Sequence, residues 1–462
     1  MPAFSFAPTP RPDAQSATPS TATSPNSHRF PDLRARFAQV RARTEALAAP
    51  LSPEDCQVQS MPDASPVKWH LAHVTWFFET FVLERFEPDF QPFDPAYRVL
   101  FNSYYQAVGE QHPRGQRGLV TRPSLAAVLA WRAQVNARMA HMLAQPIHEE
   151  LKTLVALGLQ HEQQHQELLL TDIKHLLSCN PLAPAYQAAP PPLAETAARP
   201  PWVWQGFDGG LVEIGHAGEG FAFDNESPRH KVWLEPFELA SRPVTQGEFA
   251  AFIADGGYRD PRWWLSAGWD WVQSQGRLAP LYWRRGAGDA NGKDGWQVFT
   301  LHGQVPLADA TPVAHLSHFE ADAYARWAGA RLPTEAEWEH AATCATDDGS
   351  ASANRVNRVN LADRGVFHPL PAAAEPVSGL QQLFGDVWEW TSSAYAPYPG
   401  YRPWAGAVGE YNGKFMCDQY VLRGGSCATP ADHIRASYRN FFPTGACWQF
   451  TGLRLARDRP RR

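Results

Sequence analysis

A proline-rich segment divides this chain into two halves of different character. Residues 181–202 contain several alanines and seven prolines, namely Pro181, Pro184, Pro190, Pro191, Pro192, Pro200 and Pro201. This composition is typical of a semi-rigid linker. The chain has 462 residues, which is too long for one ordinary domain. We therefore predict two domains, over residues 30–180 and 203–462, each long enough to bury a core.

Apolar residues recur at helical spacing in four stretches before the linker. Residues 1–29 are rich in Pro, Ser, Thr and Ala and are predicted to be a disordered tail. From Pro31 onwards, a spacing of three or four residues predicts helices that begin near residues 31, 66, 124 and 147. Four amphipathic helices predict an up-down bundle. The connection over residues 88–121 is long, and loops of that length are often functional.

The sequence after the linker predicts a different mixture of secondary structure. Short β-prone runs alternate with Gly, Asp and Asn turns, and two good helices are predicted, one near Thr245 and one near Ser317. Thr334 and Glu337 have the spacing of a capping box, which predicts a further short helix after Pro333. We predict a loop-rich α+β domain, so the fold class is a helical bundle followed by α+β.

Composition argues against several classes of function. The net charge is −6, from 41 basic and 47 acidic residues without a long basic run, so nucleic acid is not an expected partner. Six cysteines are scattered without a C-x-x-C pair, which fits a reducing compartment. A signal pattern and a transmembrane stretch are both missing, and we expect a cytoplasmic protein without a membrane partner.

Two histidines share one face of the fourth predicted helix. This face is formed by residues at steps of three and four, namely Leu154, Leu157, His161, His165, Leu168 and Asp172. Two imidazoles one turn apart can bind one metal ion, and three histidines with open positions suit a catalytic metal. A pair of histidines in this position is a packed or solvated pair about as often as it is a metal site. A third ligand from the second helix would be His70 or His73, and periodicity alone does not choose between them.

The same helix permits a competing interpretation. His161-Glu162-Gln163-Gln164-His165 satisfies the H-E-x-x-H pattern of zinc metalloproteases. The metzincin extension of that pattern fails, because Leu168 and Thr171 stand where Gly and His are needed. A downstream glutamate ligand would have to be Glu195, which falls in the predicted linker. The protease interpretation is therefore the weaker one.

Several motifs in both halves resemble one enzyme family. In the first half they are Lys68-Trp69-His70-Leu71-Ala72-His73, Phe101-Asn102-Ser103-Tyr104-Tyr105, Gly109-Glu110-Gln111 and His161-Glu162-Gln163-Gln164-His165-Gln166-Glu167. In the second half they are Arg331-Leu332-Pro333-Thr334-Glu335-Ala336-Glu337-Trp338-Glu339, Gly385-Asp386-Val387-Trp388-Glu389-Trp390, Arg423-Gly424-Gly425-Ser426 and Gly452-Leu453-Arg454. Together they resemble the sulfoxide synthases of ergothioneine biosynthesis, the EgtB family. The resemblance covers about residues 31–458 and implies a DinB-like four-helix bundle followed by a domain like the formylglycine-generating enzyme.

The resemblance also implies a reaction and a set of metal ligands. Fe(II) and O2 would join the sulfur of a thiol to C2 of the imidazole of hercynine, which is Nα-trimethylhistidine, and the product would be a sulfoxide. By motif, His161 and His165 would bind iron, and the third ligand would be His73 rather than His70. Gln164 matches a glutamine that contacts hercynine.

The loop motif resembles the variant of the family that uses free cysteine. Tyr104 and Tyr105 form its tyrosine pair, and Tyr105 would be the catalytic proton donor. Arg114 and Arg117 would hold the cysteine carboxylate, which a planar guanidinium matches well. A structural hydroxyl and a solvated charge pair are the competing interpretations of these residues. The alternatives are the same chemistry with γ-glutamylcysteine, free histidine or a selenosugar as co-substrate. A non-catalytic binding protein is a further alternative.

The trimethylammonium group of hercynine cannot donate a hydrogen bond, so aromatic faces should recognise it. Asn440, Phe441 and Phe442 resemble the family segment that contacts this group, and Trp448 and Phe450 are further candidates.

Two departures from related families refine the assignment. Cysteine is missing between Cys427 and Cys447, so the closely spaced cysteine pair of true formylglycine-generating enzymes is not there. The extra methyltransferase domain usual in ovothiol synthases is also not seen, which favours hercynine over free histidine.

Overall fold

The computed structural model describes residues 32–188, 201–216, 218, 220–286, 295–347, 359–373 and 379–459. The predicted disordered tail and residues 189–200 of the predicted linker lie outside the described residues. The domain limits at residues 30, 180 and 203 therefore stay predictions.

The first half is helical. Its helices are α1 (Leu33–Ala48), α2 (Pro53–Gln57), α3 (Val67–Phe77), α4 (Glu84–Phe86), α5 (Tyr97–Leu100), α6 (Leu125–Met142) and α7 (Glu149–Cys179). The long members α1, α3, α6 and α7 pack on one another as a bundle, which confirms the predicted fold class for this half.

Side-chain caps explain where the bundle helices begin. The Asp32 carboxylate accepts the backbone N–H of Arg34 at the start of α1, and the Ser124 hydroxyl accepts that of Ala127 at the start of α6. The predicted second helix differs from a regular α-helix. Between α3 and α4 the chain follows a π-helical turn over Phe78–Leu83, so the helical path continues with a locally wider pitch.

A close approach of α3 and α7 sets the position of the histidines. A Cβ atom at Gly158 would lie 2.7 Å from the Phe78 ring and 2.9 Å from the Phe77 ring. Only glycine therefore permits this separation of the two helices. One turn further along α7 lies His161, which faces α3 across the same narrow gap.

The second half combines short strands and helices. The strands are β1 (Trp204–Phe207), β2 (Gly210–Ile214), β3 (His230–Leu234), β4 (Phe237–Ala240), β5 (Trp283–Arg285), β6 (Trp296–Thr300), β7 (Gly303–Pro306), β8 (Trp388–Ala394), β9 (Gln419–Arg423), β10 (Asn440–Pro443), β11 (Thr451–Gly452) and β12 (Ala456–Asp458). They form sheets with the orders β1-β4-β12, β10-β9-β8-β11, β2-β3 and β5-β6-β7. The helices are α8 (Gln246–Ala254), α9 (Ser266–Gln275), α10 (His318–Trp327), α11 (Glu335–Asp347) and α12 (Glu410–Gly413). The predicted α+β class is confirmed.

Capping boxes open three of these helices where the sequence predicted them. Thr245 pairs with Glu248 at α8, Ser317 with Glu320 at α10, and Thr334 with Glu337 at α11. Helix α11 runs to Asp347 and is longer than the short helix expected. Helix α9 was not predicted, because Leu265 at its N-cap offers no side-chain bond and Gly268 interrupts its pattern.

Three sequence motifs of the second half meet at one buried ion pair. Arg454 donates to both carboxylate oxygens of Glu389, and the Trp338 indole N–H donates to the same carboxylate at 2.7 Å. All three side chains are fully buried. These motif residues therefore stabilise the core of the domain rather than a binding site.

Helix α7 also carries the contact between the two halves. Glu167 on α7 accepts hydrogen bonds from Trp388, Ser426 and Thr429 of the second half. At the beginning of the linker segment, the Tyr186 hydroxyl donates to the carbonyl of Leu47 in α1. One hydrophobic cluster of buried residues runs through both halves. Among the described helices, none is both long and apolar enough to cross a membrane.

Candidate metal centre and substrate cavity

Three buried histidines converge between α3 and α7. One nitrogen each of His73, His161 and His165 lies within 4.8 Å of the others, and His73 and His161 are 1% and 6% exposed. The rings of His161 and His165 are 4.6 Å apart, and His73 is 5.0 Å and 4.9 Å from them. The structure thus brings together the two histidines predicted from spacing and the third one implied by the family motif.

Hydrogen bonds orient two of the three rings. Nδ1 of His73 donates to the carbonyl oxygen of Phe101 at 2.7 Å. Nδ1 of His165 contacts Nδ1 of His70 at 2.9 Å. In both rings Nε2 is left without a partner among the described residues. Neither ring nitrogen of His161 has a hydrogen-bond partner among the described residues, and its Nδ1 is buried. Unpaired nitrogens in a buried cluster are what a metal ion requires of its ligands.

Electrostatics favour neutral imidazoles at this cluster. Burial lowers the pKa of His161 to about 4, against the weaker opposing effect of Glu162. Burial and the neighbouring His161 also hold the pKa values of His73 and His165 well below the usual range. A neutral imidazole presents a lone pair, so the site fits a divalent transition metal.

Aromatic packing holds His73 in place. Its ring is stacked between Trp69, at 4.5 Å and 12°, and Trp76, at 5.4 Å and 14°. The guanidinium of Arg117 lies 3.4 Å from the centre of the Trp69 ring on the far side of the stack. His70 is not part of the triad and lies behind His165.

The position of Glu162 argues against the metalloprotease interpretation. Its carboxylate is completely buried and accepts hydrogen bonds from Arg41, Arg132 and Thr44. Burial alone would raise its pKa, but Arg132 and Arg41 lower the pKa to about 2. A carboxylate engaged in this way holds α1, α6 and α7 together and does not line the cavity at the histidines. It is not available as a general base.

The long loop brings two tyrosines to the cavity. Asn102 orders the loop, because its side chain accepts the N–H of Tyr105 and donates to the Tyr105 carbonyl. Tyr105 is 3% exposed and lines the inner cavity together with the three histidines. Burial raises its pKa, so the hydroxyl stays protonated at neutral pH. Tyr104 lines both the inner and the outer cavity, and its hydroxyl accepts a hydrogen bond from Arg114 at 2.9 Å.

The two predicted arginines differ in their surroundings. Arg117 is 3% exposed and donates to the hydroxyls of Ser65 and Ser103, and its Nε is buried without a partner. Its charge faces no carboxylate within salt-bridge distance among the described residues, and burial lowers its pKa to about 10. Arg114 is exposed at the mouth and also lines the cavity. An unpaired buried guanidinium is a strong site for an incoming carboxylate.

An outer cavity adjoins the inner one at the junction of the two halves. The inner cavity measures about 60 Å³ and the outer one about 190 Å³, so the outer cavity has the room for most of a substrate. Asn440, Phe441, Phe442 and Trp448 line the outer cavity, as does Gln164. Twelve of the predicted site residues therefore line one of these two cavities, whereas the further candidate Phe450 is fully buried beside His315 and lines neither.

The structure adds aromatic residues that the sequence reasoning missed. Tyr438, Trp388, Tyr411, Phe415 and Phe223 also line the outer cavity. Trp388 lies in a quoted motif, but motif membership did not separate cavity residues from core residues such as Trp338. Tyr438 stands two residues before Asn440, and its signal was its proximity to that segment.

A hydrogen-bond chain orients Gln164. Nδ1 of His433 faces Oε1 of Gln160 at 2.6 Å, and Nε2 of His433 faces the Tyr438 hydroxyl at 3.0 Å. Nε2 of Gln164 donates to that hydroxyl at 2.8 Å. Since Nδ1 of His433 must donate to the Gln160 carbonyl, its Nε2 accepts from Tyr438. The side-chain oxygen of Gln164 is then left as an acceptor at the outer cavity.

Comparison with known proteins gives two domain matches. Residues 36–169 match the DinB superfamily, and residues 206–459 match the family described as Sulfatase-modifying factor enzyme 1-like domain. The formylglycine-generating enzyme of Streptomyces coelicolor is 36% identical to this chain, over 47% of this chain and 76% of that protein.

Two relatives match over nearly the whole length. The hercynine oxygenase of Mycobacterium tuberculosis is 35% identical, over 92% of this chain and 98% of that protein. The hercynine oxygenase of Mycolicibacterium thermoresistibile is 35% identical, over 92% of this chain and 95% of that protein.

Fold and site define a two-domain protein in which a DinB-like bundle with a three-histidine candidate metal centre is closed by a sulfatase-modifying-factor-like domain. The two relatives that match over nearly the whole chain narrow this class to one family. The chain belongs to the hercynine oxygenase family.

Proposed function

We propose that this protein is an Fe(II)- and O2-dependent sulfoxide synthase that joins the sulfur of cysteine to C2 of the hercynine imidazole. The observation that carries the proposal is the shared cavity of the three histidines, Tyr105 and Arg117. In this cavity the three histidines can bind a metal, Tyr105 can donate a proton, and the guanidinium of Arg117 can bind a carboxylate. The names of the full-length relatives supply hercynine as the imidazole substrate.

The proposed reaction balances with the substrates named. One thiol, one hercynine and one O2 give one sulfoxide and one water. The S–H bond and the C2–H bond of the imidazole are lost, a C–S bond and an S–O bond form, and the second oxygen atom leaves as water. O2 takes up the four electrons that the two substrates lose. Bound Fe(II), held by His73, His161 and His165, would supply the activation of O2 and the passage of these electrons.

The residues of the chain would position the two organic substrates. The side-chain oxygen of Gln164 accepts the imidazole N–H of hercynine in the outer cavity. Phe441, Phe442 and Trp448 offer aromatic faces to the trimethylammonium group. Asn440 offers an amide beside them. Each of these contacts lowers the entropy cost of bringing the imidazole carbon and the sulfur together.

Free cysteine fits the electrostatics of the inner cavity. Arg117 has a buried charge without a carboxylate, and Arg114 lies at the mouth beside Tyr104. Together they can hold one α-carboxylate and draw the thiol towards the histidines. Tyr105 would donate its proton as the oxygen chemistry proceeds and would be reprotonated by the proton that C2 of the imidazole loses.

The experiment that tests the proposal is a substrate panel. Protein loaded anaerobically with Fe(II) is mixed with hercynine, O2 and cysteine, γ-glutamylcysteine or a selenosugar, and free histidine replaces hercynine in a parallel series. Mass spectrometry should detect the cysteine–hercynine sulfoxide as the main product. Arg114→Gln should raise the KM for cysteine by roughly 10-fold, since a charged hydrogen bond is lost. A higher kcat/KM for another thiol would overturn the assignment of cysteine.

A further inference from the structure

A chain of buried polar groups connects one metal-ligand candidate to the second half of the protein. Nδ1 of His165 lies 2.9 Å from Nδ1 of His70, and Nε2 of His70 lies 3.0 Å from Oδ2 of Asp172. His70 is 2% exposed and Asp172 is 5% exposed. None of the roles described so far uses either residue.

The chemistry of the groups fixes the direction of each hydrogen bond. A carboxylate only accepts, so Nε2 of His70 carries a proton and donates it to Asp172. A neutral imidazole then has its lone pair on Nδ1, which accepts from His165. The proton of His165 is therefore on Nδ1, and Nε2 keeps the lone pair that a metal needs. A doubly protonated His70 would reverse this and place the proton of His165 on Nε2.

The Asp172 carboxylate is itself held from three directions. Oδ2 also accepts the backbone N–H of Ser65 at 2.8 Å, and Oδ1 accepts the indole N–H of Trp448 at 3.1 Å. Ser65 immediately precedes the segment that leads into α3, whereas Trp448 belongs to the second half and lines both cavities. The position of the carboxylate thus depends on both halves of the protein.

We propose that His70 and Asp172 are positioning residues which hold His165 as the Nδ1–H tautomer with Nε2 presented to the metal. From the second half, Trp448 anchors this chain of hydrogen bonds through Asp172, so that docking of that half strengthens metal binding. This inference rests on the proposed metal site but not on the identity of the thiol. Carboxylate partners of ligand imidazoles fix the ring orientation and raise its basicity, and their loss typically weakens metal binding by about 10- to 100-fold.

The test compares metal affinity in matched variants of the full chain. Asp172→Asn keeps the shape of the side chain and removes its charge, and His70→Leu removes the acceptor next to His165. The control is His175→Gln, on the same helix, where Nδ1 of His175 contacts the Ser60 hydroxyl at 2.8 Å and no member of the triad. Fe(II) affinity is measured anaerobically by competition with a chelator, and the absorption bands of the Co(II)-loaded protein report ligand geometry. Circular dichroism of the metal-free forms establishes that each variant is folded.

The two positioning variants should each bind Fe(II) about 10- to 100-fold more weakly than the wild type. The double variant should be little worse than either single variant, because both act through one chain. The Co(II) bands should shift in these variants and stay unchanged in His175→Gln. Wild-type affinity and unchanged bands in folded Asp172→Asn and His70→Leu would overturn the inference. Affinity is measured without substrates, so a wild type that binds Fe(II) but makes no sulfoxide would refute the proposed function alone.

Discussion

Glu167 accepts the indole N–H of Trp388 at 2.8 Å, which ties the helix of His161 and His165 to the sheet of the second half. The same carboxylate accepts the hydroxyls of Ser426 and Thr429. Burial raises the pKa of Glu167, and the three donors oppose that rise. The last residue of the H-x-x-x-H-x-E motif is therefore a docking residue, and its partners lie in or close to two motifs of the second half.

Replacement of Glu167 should weaken the contact between the halves. Glu167→Ala leaves three buried donors without an acceptor, and we expect the free energy of unfolding to fall by about 3 kcal/mol. Urea denaturation followed by tryptophan fluorescence measures this. The control Glu149→Ala, at an exposed position of the same helix, should cost less than about 1 kcal/mol. Equal losses for the two variants would argue against a docking role.

Removal of the Tyr105 hydroxyl should change the product ratio. Tyr105→Phe keeps the ring that packs near Trp76 and Phe81 and removes the proposed proton donor. We expect sulfoxide formation to fall by about 100-fold, while oxidation of cysteine to its sulfinic acid continues. Chromatography with mass detection gives both products. Tyr97→Phe, at the first residue of α5, is the matched control, because Tyr97 lines neither cavity. An unchanged ratio in Tyr105→Phe would remove Tyr105 from this role.

Loss of the Tyr438 hydroxyl should affect hercynine binding. In Tyr438→Phe the amide of Gln164 loses the partner that orients it. We expect the KM for hercynine to rise by roughly 10-fold, with a smaller change in kcat and in the KM for cysteine. Tyr401→Phe is a suitable control, since its hydroxyl contacts Asp224 and Tyr401 does not line either cavity. An effect confined to cysteine would show that Gln164 serves the other substrate.

The buried Lys174 should make stability depend on pH. Burial lowers its pKa from 10.5 to about 7, and its Nζ donates to Nε2 of His315 at 2.6 Å. Between pH 7 and 10.5 the unfolded chain therefore binds this proton and the native protein does not, so stability rises with pH across that window. Below pH 7 the lysine is charged in both states, and its contribution is constant.

The variant Lys174→Met removes this titration and roughly keeps the volume. The free energy of unfolding of the wild type should rise relative to that of Lys174→Met by about 1 kcal/mol per pH unit from pH 7 to 9. Denaturation at several pH values measures the difference. Parallel curves for the two proteins would mean that Lys174 stays charged in its buried position.

The sequence predicted those features that depend on local order. Helical spacing located α1, α3, α6 and α7, and it placed His161 and His165 on one face. The capping pair Thr334 with Glu337 located α11 in the second half. These signals are carried by residues at most four positions apart, which one sequence shows directly.

Features that depend on contacts distant in sequence were not predictable in this way. Periodicity left His70 and His73 equal, because both face apolar neighbours on α3. Their separation into a triad member and a partner of Asp172 depends on how α3 and α7 pack at Gly158. Likewise, Tyr438 comes to Gln164 only when the second half docks on α7, across 274 positions of sequence.

The most direct test of the proposed function uses isotopically labelled O2. Protein loaded with Fe(II) is given hercynine, cysteine and labelled O2, and the product is analysed by mass spectrometry. The proposal predicts one cysteine–hercynine sulfoxide that carries a single labelled oxygen atom on sulfur, and no such product from His165→Ala. A failure of the loaded wild type to form sulfoxide with any thiol, or a sulfoxide whose oxygen comes from water, would contradict it.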